Sequence, residues 1–468
     1  MGLIAAAGCK DMVKCVTIKV NFLDSPITGL TRVIENMHEV AGEWKKVSEL
    51  TISMVLGSFH HDYSDLIIAD YRDDICKVGN ALAALMPELR QAFLGGENTH
   101  PIATAICSYL AEFYTEQMQV LYTQYPITTP SGHRFKCLKN ASINYDNLSG
   151  YHPPSMDVAD LEVLNLYNAP ANHSWTPFST NDDSYNIEFT KLKQLCIGYH
   201  AMHEENGIVV PHRDGHPWRL CFPNLEILSI MCTKSICPLL EYMVLPSHMN
   251  EITIKMKLEH FQHYAAVSLP AANKIVLKVY PFSIGEPIGL PAINRILDSV
   301  RGSDNVELEI MKSTIPVLPG DITSTTITRL LVAGPTSVDT MFELIQRLPN
   351  LVGLILYKLD MDSVQTDISV PEAGEHTPVE PYDTKLTGMA INYMQDKHSP
   401  DLAAAIAKHL LLKIPTLSKF FACQTPVRLV HNFIETYSQW YPHLSSINFR
   451  LRDDEYSDST TWIMQMLY

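Results

Sequence analysis

The sequence predicts an α/β solenoid, in which a curved inner sheet of parallel strands is covered by outer helices. Three observations predict it. A short phrase of a large apolar residue, proline, any residue and leucine recurs along the chain. Each copy runs into a string of the form Leu-x-x-Φ-x-Φ, where Φ is apolar. Amphipathic segments lie between strings, so strand and helix alternate, as in parallel sheets with helical crossovers.

The proline phrase and the strings define the expected strands. The phrase occurs as Met86-Pro-Glu-Leu89, Phe222-Pro-Asn-Leu225, Leu348-Pro-Asn-Leu351, Ile414-Pro-Thr-Leu417 and Tyr441-Pro-His-Leu444. The middle apolar position of each string falls at residues 16, 50, 92, 121, 141, 164, 195, 228, 252, 275, 306, 330, 354, 389, 420 and 447. Successive middle positions are 20 to 42 residues apart, with a mean near the upper end of the period of about 20–29 that leucine-rich repeats show. The sequence therefore predicts one leucine-rich-repeat-like solenoid over residues 1–468.

Helices are expected between several strings. Apolar residues recur at helical spacing in residues 30–41, 293–300 and 341–348, and residues 102–122 form one long helix candidate. Ser399-Pro400 and Thr425-Pro426 each offer a hydroxyl cap followed by proline at the first helical position. Each helix is expected to end at the next proline phrase, because proline disfavours helical angles in the residue before it.

Stacking fixes which wall of the solenoid is concave. One unit cannot bury its apolar face alone, so neighbouring units must stack. Strands pack about 4.8 Å apart while helices need about 8–10 Å, and the sheet therefore becomes the inner wall.

The candidate functional surface is this concave wall, which we expect to bind another protein. Side chains that flank the middle apolar positions point away from the core. They are Ile227, Ser229, Met231, Glu251, Thr253, Lys255, Lys274, Val276, Lys278, Arg329, Leu331, Gly353, Ile355 and Tyr357. The apolar members are Ile227, Met231, Val276, Leu331, Ile355 and Tyr357. We expect these to form an exposed stripe with a charged border, which suits a protein interface, unless adjacent loops or helices cover them.

Four further stretches carry a resemblance to a known family, together with the phrases at Phe222–Leu228 and Leu348–Leu351. They are His212-Arg-Asp-Gly-His-Pro-Trp218, Cys237-Pro-Leu-Leu-Glu-Tyr242, Leu290-Pro-Ala-Ile-Asn-Arg-Ile296 and Pro335-Thr-Ser-Val-Asp-Thr340. The chain resembles an expanded group of uncharacterised fungal F-box/leucine-rich-repeat-like proteins. That resemblance implies a non-enzymatic scaffold for protein recognition, related to substrate receptors of ubiquitin ligases.

Two departures from the family pattern qualify that resemblance. No Leu-Pro phrase of an F-box precedes the first string, where Val13 already begins repeat-like sequence. A ubiquitin-ligase scaffold is therefore a possible partner only if a hidden F-box exists. The asparagine that usually follows each strand is replaced by Ala169, Thr233, Pro335 and Leu359. The buried backbone polar groups of the loops must then find other hydrogen-bond partners.

Composition and charge narrow the other partners. The formal net charge of −16 repels phosphate backbones, so no nucleic acid is expected. No apolar run is long enough to span a bilayer, no signal peptide is expected, and the ten cysteines are irregularly spaced. These features favour a monomer in the cytoplasm or nucleus with reduced thiols.

A metal site and an enzyme are the alternatives that remain open. His212, His216, Cys221, Cys232 and Cys237 are the richest ligand cluster, but their spacing matches no tight zinc knuckle. No nucleophile elbow, dinucleotide fingerprint or phosphate loop occurs, so no catalytic, cofactor or metal residue is assigned. A hydrolase or transferase would need a site assembled across repeats, in a deep polar pocket. A truncated product without independent function is a further alternative.

Overall fold

The structure is a computed structural model. It describes residues 12–22, 26–41, 44–56, 71–96, 101–124, 127, 133–144, 155–167, 178, 186–198, 212–213, 216–217, 219–231, 240, 242–257, 269–280, 303, 305–310, 326–361, 364, 368, 379–391, 394–395, 400–423 and 425–452. By its internal packing the chain divides into two compact units. The first is Met1–Cys232 with Pro238–Pro246, and the second is Thr233–Cys237 with Ser247–Tyr468. The expectation of one array over the whole chain stays a prediction.

The first unit combines parallel strands with helices. Its strands are β1 (Cys15–Phe22), β2 (Glu49–Leu56), β3 (Gln91–Gly96), β4 (Val120–Thr123), β5 (Arg134–Phe135), β6 (Asn140–Asn144), β7 (Ser155–Met156), β8 (Val163–Tyr167), β9 (Asn186–Glu188), β10 (Gln194–Gly198), β11 (His212–Arg213), β12 (His216–Pro217), β13 (Arg219–Cys221), β14 (Ile227–Met231) and β15 (Met243–Val244). Its helices are α1 (Pro26–Ala41), α2 (Arg72–Leu85) and α3 (Pro101–Phe113).

Eight of these strands pair in parallel, in the order β1-β2-β3-β4-β6-β8-β10-β14. The predicted middle positions lie opposite one another along the whole series, as Val16, Leu50, Ala92, Leu121, Ala141, Leu164, Leu195 and Leu228. None of these eight is more than 4% exposed. The expected parallel arrangement of the strings is therefore confirmed in this unit. Short strands pair separately as β5 with β7, β11 with β12, and β13 with both β9 and β15.

The second unit repeats this arrangement. Its strands are β16 (His248–Lys257), β17 (Ala271–Tyr280), β18 (Val306–Ile310), β19 (Ile327–Ser337), β20 (Gly353–Asp360), β21 (Gly388–Ile391), β22 (Met394–Gln395), β23 (Lys419–Cys423) and β24 (Asn448–Arg452). Its helices are α4 (Val338–Arg347), α5 (Pro400–Lys413), α6 (Val427–Tyr437) and a 3-10 turn at Pro442–Ser446. Parallel pairing runs β16-β17-β18-β19-β20-β21-β23-β24, with β22 paired beside β20.

Two strings in this unit are shifted from the predicted register. A bulge lies between Val306 and Glu307, so Leu330 pairs with Leu308 and not with Val306. At the end of the chain Phe420 pairs with Phe449, although Ile447 was the predicted middle position. The second shift has a local cause. The last proline phrase continues into a 3-10 turn, which delays the strand by two residues relative to the other phrases.

The proline phrase is a tight turn. In all five copies the leucine N–H donates to the carbonyl of the apolar residue before the proline, at 3.0–3.4 Å. Proline suits the second position of such a turn because its fixed φ matches it. The same bond forms without proline from Val47 to Trp44, from Leu161 to Val158 and from Leu192 to Phe189. Both apolar ends of these turns are buried except for Tyr441, which is half-buried, so each turn anchors the start of the following strand to the core.

Backbone hydrogen bonds connect the starts of neighbouring strands. Ser48 and Glu49 both donate their N–H groups to the carbonyl of Lys14, and Arg90 and Gln91 both donate to Ser48. This two-to-one pattern, in which one carbonyl accepts hydrogen bonds from two successive N–H groups, recurs at the carbonyls of Arg90, Gln119, Lys139, Glu162, Lys193, Val352 and Thr387. Because each bond joins adjacent strands at the same position, these bonds fix their relative register.

The observed helices agree only in part with the helices that the sequence predicts. Helices near Leu30–Ala41 and Met341–Leu348 are present, and α2, α4 and α5 end directly before a proline phrase. The long helix expected over 102–122 is wrong, because α3 ends at Phe113 and a turn leads into β4. Thr425 does not cap α6, since its hydroxyl donates to the Cys423 carbonyl and Pro426 is the N-cap. The helix expected at 293–300 lies outside the described residues.

Candidate functional site

Alternation along the strands separates the buried middle positions from a second face, here called the flanking face. In the second unit it is formed by Glu251, Thr253, Lys255, Lys274, Val276, Lys278, Glu307, Glu309, Arg329, Leu331, Gly353, Ile355, Tyr357, Gly388, Ala390, Lys419, Phe421, Cys423, Asn448 and Arg450. Among the predicted interface residues, Ile227, Ser229 and Met231 belong to the first unit and the others to this face.

The expected apolar stripe is partly covered. Met231 is exposed at 38%, and Ile227 and Tyr357 are half-buried. Val276, Leu331 and Ile355 are only 5–7% exposed, so the expected exposure of these three is wrong. For Leu331 and Ile355 the reason is lateral packing. They form an apolar cluster with Ala390, Phe421 and Cys423, against which Ala333 and Tyr357 also pack.

Two carboxylates that the sequence analysis did not select are buried on the same face. Glu307 is 2% exposed, and its oxygens lie 3.3 Å from Lys274 Nζ and 3.1 Å from an Arg329 guanidinium nitrogen. Glu309 is 5% exposed and lies 2.9 Å from Lys278 Nζ. A buried carboxylate is costly unless it is paired, so these cations stabilise its charge. The sequence did contain a signal that could have predicted these ion pairs, because acidic residues in one string lie opposite basic residues in the neighbouring strings.

A pocket of about 120 Å3 opens beside this ion-pair network. Its lining includes two glycines, Gly353 and Gly388, which lie directly opposite each other on adjacent strands. Arg329 is the neighbour of Gly353 on one side, and Lys419 is the neighbour of Gly388 on the other. The two side chains missing at the glycines therefore leave a gap between two cationic residues.

The remaining walls of the pocket differ in polarity. Thr387 and Ser418 supply hydroxyls, which donate to the backbone carbonyls of Val352 and Thr387 at 3.3 and 3.1 Å. Leu331 and Ile355 are apolar lining residues and belong to the apolar cluster described above. The pocket thus combines cations, hydroxyl groups and apolar side chains with two carboxylates, Glu307 and Glu309, that already hold ion pairs. This lining suits a ligand group that is part anionic and part apolar.

The flanking face of the first unit has a different chemistry. It contains Cys15, Thr17, Lys19, Glu49, Thr51, Ser53, Gln91, Phe93, Gly95, Val120, Tyr122, Asn140, Ser142, Asn144, Val163, Asn165, Tyr167, Gln194, Cys196, Gly198, Ile227, Ser229 and Met231. Phe93 and Tyr122 pack with ring centroids 6.2 Å apart. Burial raises the pKa of the Cys196 thiol, and a hydrogen bond with Ser229 partly offsets that rise.

The ligand cluster that the sequence left open as a metal site is only partly covered by the described residues. Cys232 and Cys237 lie outside the described residues, while His212 and His216 occupy the short pair β11–β12. Cys221 is half-buried, and burial, followed by the charge of Glu188, raises the pKa of its thiol. Within the described ranges no three His, Cys, Asp or Glu side chains are arranged to hold a metal ion.

Comparisons with known proteins add no family assignment. No protein-family model matches the chain, and no curated protein matches its sequence. None of the helices in the described part of the chain has the length and apolar character needed to cross a membrane.

Proposed function

We propose that the chain is a leucine-rich-repeat-like solenoid that recognises another protein through its flanking faces and does not catalyse a reaction. The observation that carries this proposal is the register. Within each unit, string after string places its middle residue in the core and its flanking residues side by side on the flanking face of that unit. Such a face presents many half-exposed side chains on a rigid backbone, which suits recognition of an extended surface.

The proposal includes the relationship to fungal F-box/leucine-rich-repeat-like proteins. Co-purification of a stoichiometric ubiquitin-ligase scaffold with the chain would support it as a substrate receptor, whereas a chain that binds targets without that scaffold would be a free-standing binding module. The described cysteines are free thiols, which is consistent with a reducing compartment such as the cytoplasm or nucleus.

A hydrolase or transferase is the second candidate, because the pocket brings Glu307, Glu309, Arg329 and Lys419 together. Recognition is favoured over it because both carboxylates already hold ion pairs, which proton transfer would disrupt. Turnover of an ester, glycoside or phosphoester panel that is lost in Glu309→Gln would support the enzyme instead.

Quantitative capture tests the recognition proposal. A tagged full chain is crosslinked to its targets and compared with Met231→Asp, which places a charge on the exposed flanking face. Leu429→Asp is the matched control, since Leu429 is 37% exposed on α6. We expect Met231→Asp to lose specific targets that Leu429→Asp retains. Equal capture by both variants would contradict a role for this part of the face.

A further inference from the structure

We infer that the pocket between Arg329 and Lys419 receives a carboxylate side chain from an acidic, extended segment of the partner protein. This inference rests on the proposed function and specifies its partner. The row Arg329–Gly353–Gly388–Lys419 supplies the geometry, because four adjacent strands contribute one residue each. Only the two central residues, the glycines, lack side chains. A group that enters above them therefore has a cation on either side.

The charge of the flanking face favours an anionic partner. Among the side chains that the structure describes, this face of the second unit has six cationic residues: Lys255, Lys274, Lys278, Arg329, Lys419 and Arg450. The carboxylates among the same side chains are Glu251, Glu307 and Glu309. The described part of the face thus has an excess of three positive charges, although the whole chain has a formal net charge of −16. A local excess of one sign in a chain of the other sign is expected where an oppositely charged partner binds.

The pocket also has a cation that the internal network does not neutralise. Glu307 is paired with Lys274 and Arg329, and Glu309 is paired with Lys278. Lys419 lines the pocket and forms no ion pair with any described residue. An incoming carboxylate would therefore pair with Lys419, while the pocket's own two carboxylates stay compensated.

Size favours one side chain over a free cofactor. The pocket volume of about 120 Å3 lies well below the roughly 300–1,000 Å3 of pockets that enclose drug-sized ligands. The apolar residues Leu331 and Ile355 favour an aliphatic or aromatic residue two positions away from the acidic one. An extended segment can supply both, because alternate residues of a strand-like peptide point to the same side and lie only about 6.6 Å apart along its length.

The probe is a phage-displayed library of random twelve-residue peptides, panned against the immobilised full chain. We expect enriched peptides to share an Asp or Glu two positions away from an apolar residue. The affinity of a synthesised peptide is then measured for the unaltered chain, Lys419→Gln and Gly353→Ala. Gly353→Ala narrows the pocket at little cost, since the added Cβ would lie 3.4 Å from Arg329 Cγ, an ordinary contact. Arg347→Gln on the exposed surface of α4 is the control.

Lys419→Gln should weaken binding about tenfold, as expected for loss of one charge-assisted hydrogen bond, and Arg347→Gln should not. Changing the acidic peptide residue to its amide should weaken binding equally, with no further loss when both changes are combined. Two results would overturn the assignment of the pocket to a carboxylate: enriched peptides that lack an acidic residue, or peptides whose affinity is unaffected by Lys419→Gln. In either case the proposed recognition of another protein would still stand.

Two other outcomes also overturn the inference. If no peptide is enriched, the proposal that an acidic segment binds is refuted. The capture experiment with Met231→Asp then decides whether the proposed protein recognition fails as well. If acetate or benzoate raises the Tm of the unaltered chain and loses that effect in Gly353→Ala, the pocket binds free carboxylates and a partner side chain is not its ligand.

Discussion

The two flanking faces have the same backbone pairing but different chemistry. In the first unit the face is dominated by hydroxyl, amide and aromatic side chains, with Lys19 and Glu49 as its charged residues. In the second unit it combines buried ion pairs with an apolar cluster. Equivalent positions of neighbouring strings therefore differ in burial as well as in polarity. The comparison shows that the string pattern determines the core, while lateral neighbours determine what the face can bind.

The largest expected contrast is between Phe421 and Phe93, which both follow a middle position directly. Phe421 is 4% exposed within the apolar cluster, whereas Phe93 is half-buried beside Tyr122. Phe421→Ala should lower the free energy of unfolding of the second unit by about 3–5 kcal/mol, because it leaves a cavity. Phe93→Ala should cost about 1 kcal/mol. Urea denaturation followed separately for each unit measures both, and equal losses would remove the proposed difference in burial.

The second contrast concerns acidic residues on the two faces. Glu307→Gln leaves Lys274 and Arg329 without their buried partner and should cost about 2 kcal/mol, less than for a fully buried pair because both cations are about one-third exposed. Glu49→Gln, on the first face, should change the free energy of unfolding by no more than about 0.5 kcal/mol. A Glu307→Gln chain as stable as the unaltered one would show that the network contributes nothing to stability.

A smaller contrast is expected for glycine substitutions. Gly353→Ala should stabilise the folded chain by about 0.5 kcal/mol, because alanine restricts the unfolded chain and its Cβ meets only an ordinary contact. Gly198→Ala should give no gain, since its Cβ would lie 3.3 Å from the Tyr167 ring, which must shift. Thermal unfolding of both variants tests this order, and a higher Tm for Gly198→Ala would reverse it.

The smallest expected effect is a change in the rate at which Cys15 is alkylated. Burial, then a hydrogen bond to Glu49 and its charge, raise the pKa of Cys15. A raised pKa means less thiolate at a given pH, so Glu49→Gln should lower the pKa and speed alkylation of Cys15 near pH 8. Peptide mass spectrometry after timed iodoacetamide treatment resolves this thiol. Cys137, which contacts the Glu116 carbonyl and no carboxylate in the described residues, serves as internal control and should not change.

The sequence predicted the core better than the face. Apolar spacing located the middle positions because burial of these residues depends on their own string. The burial of Leu331 depends instead on Ala390 and Phe421, which come from later strings, so the single string gave no sign of it. Glu307 was missed for the same reason, since its cations come from the strands on either side. Thr425 had a typical capping sequence, but its hydroxyl bonds backward to Cys423.

The two-to-one hydrogen bonds at the strand starts have a consequence for insertions. Because the carbonyls of Lys14 and Ser48 each hold two successive amides at the start of the next strand, a strand held in this way is positioned before its connecting segment begins. The length of that segment can then vary without sliding one strand past another. Spacings of 20 to 42 residues are thus compatible with a single pairing scheme, and foreign loops could be grafted between strands without disturbing their alignment.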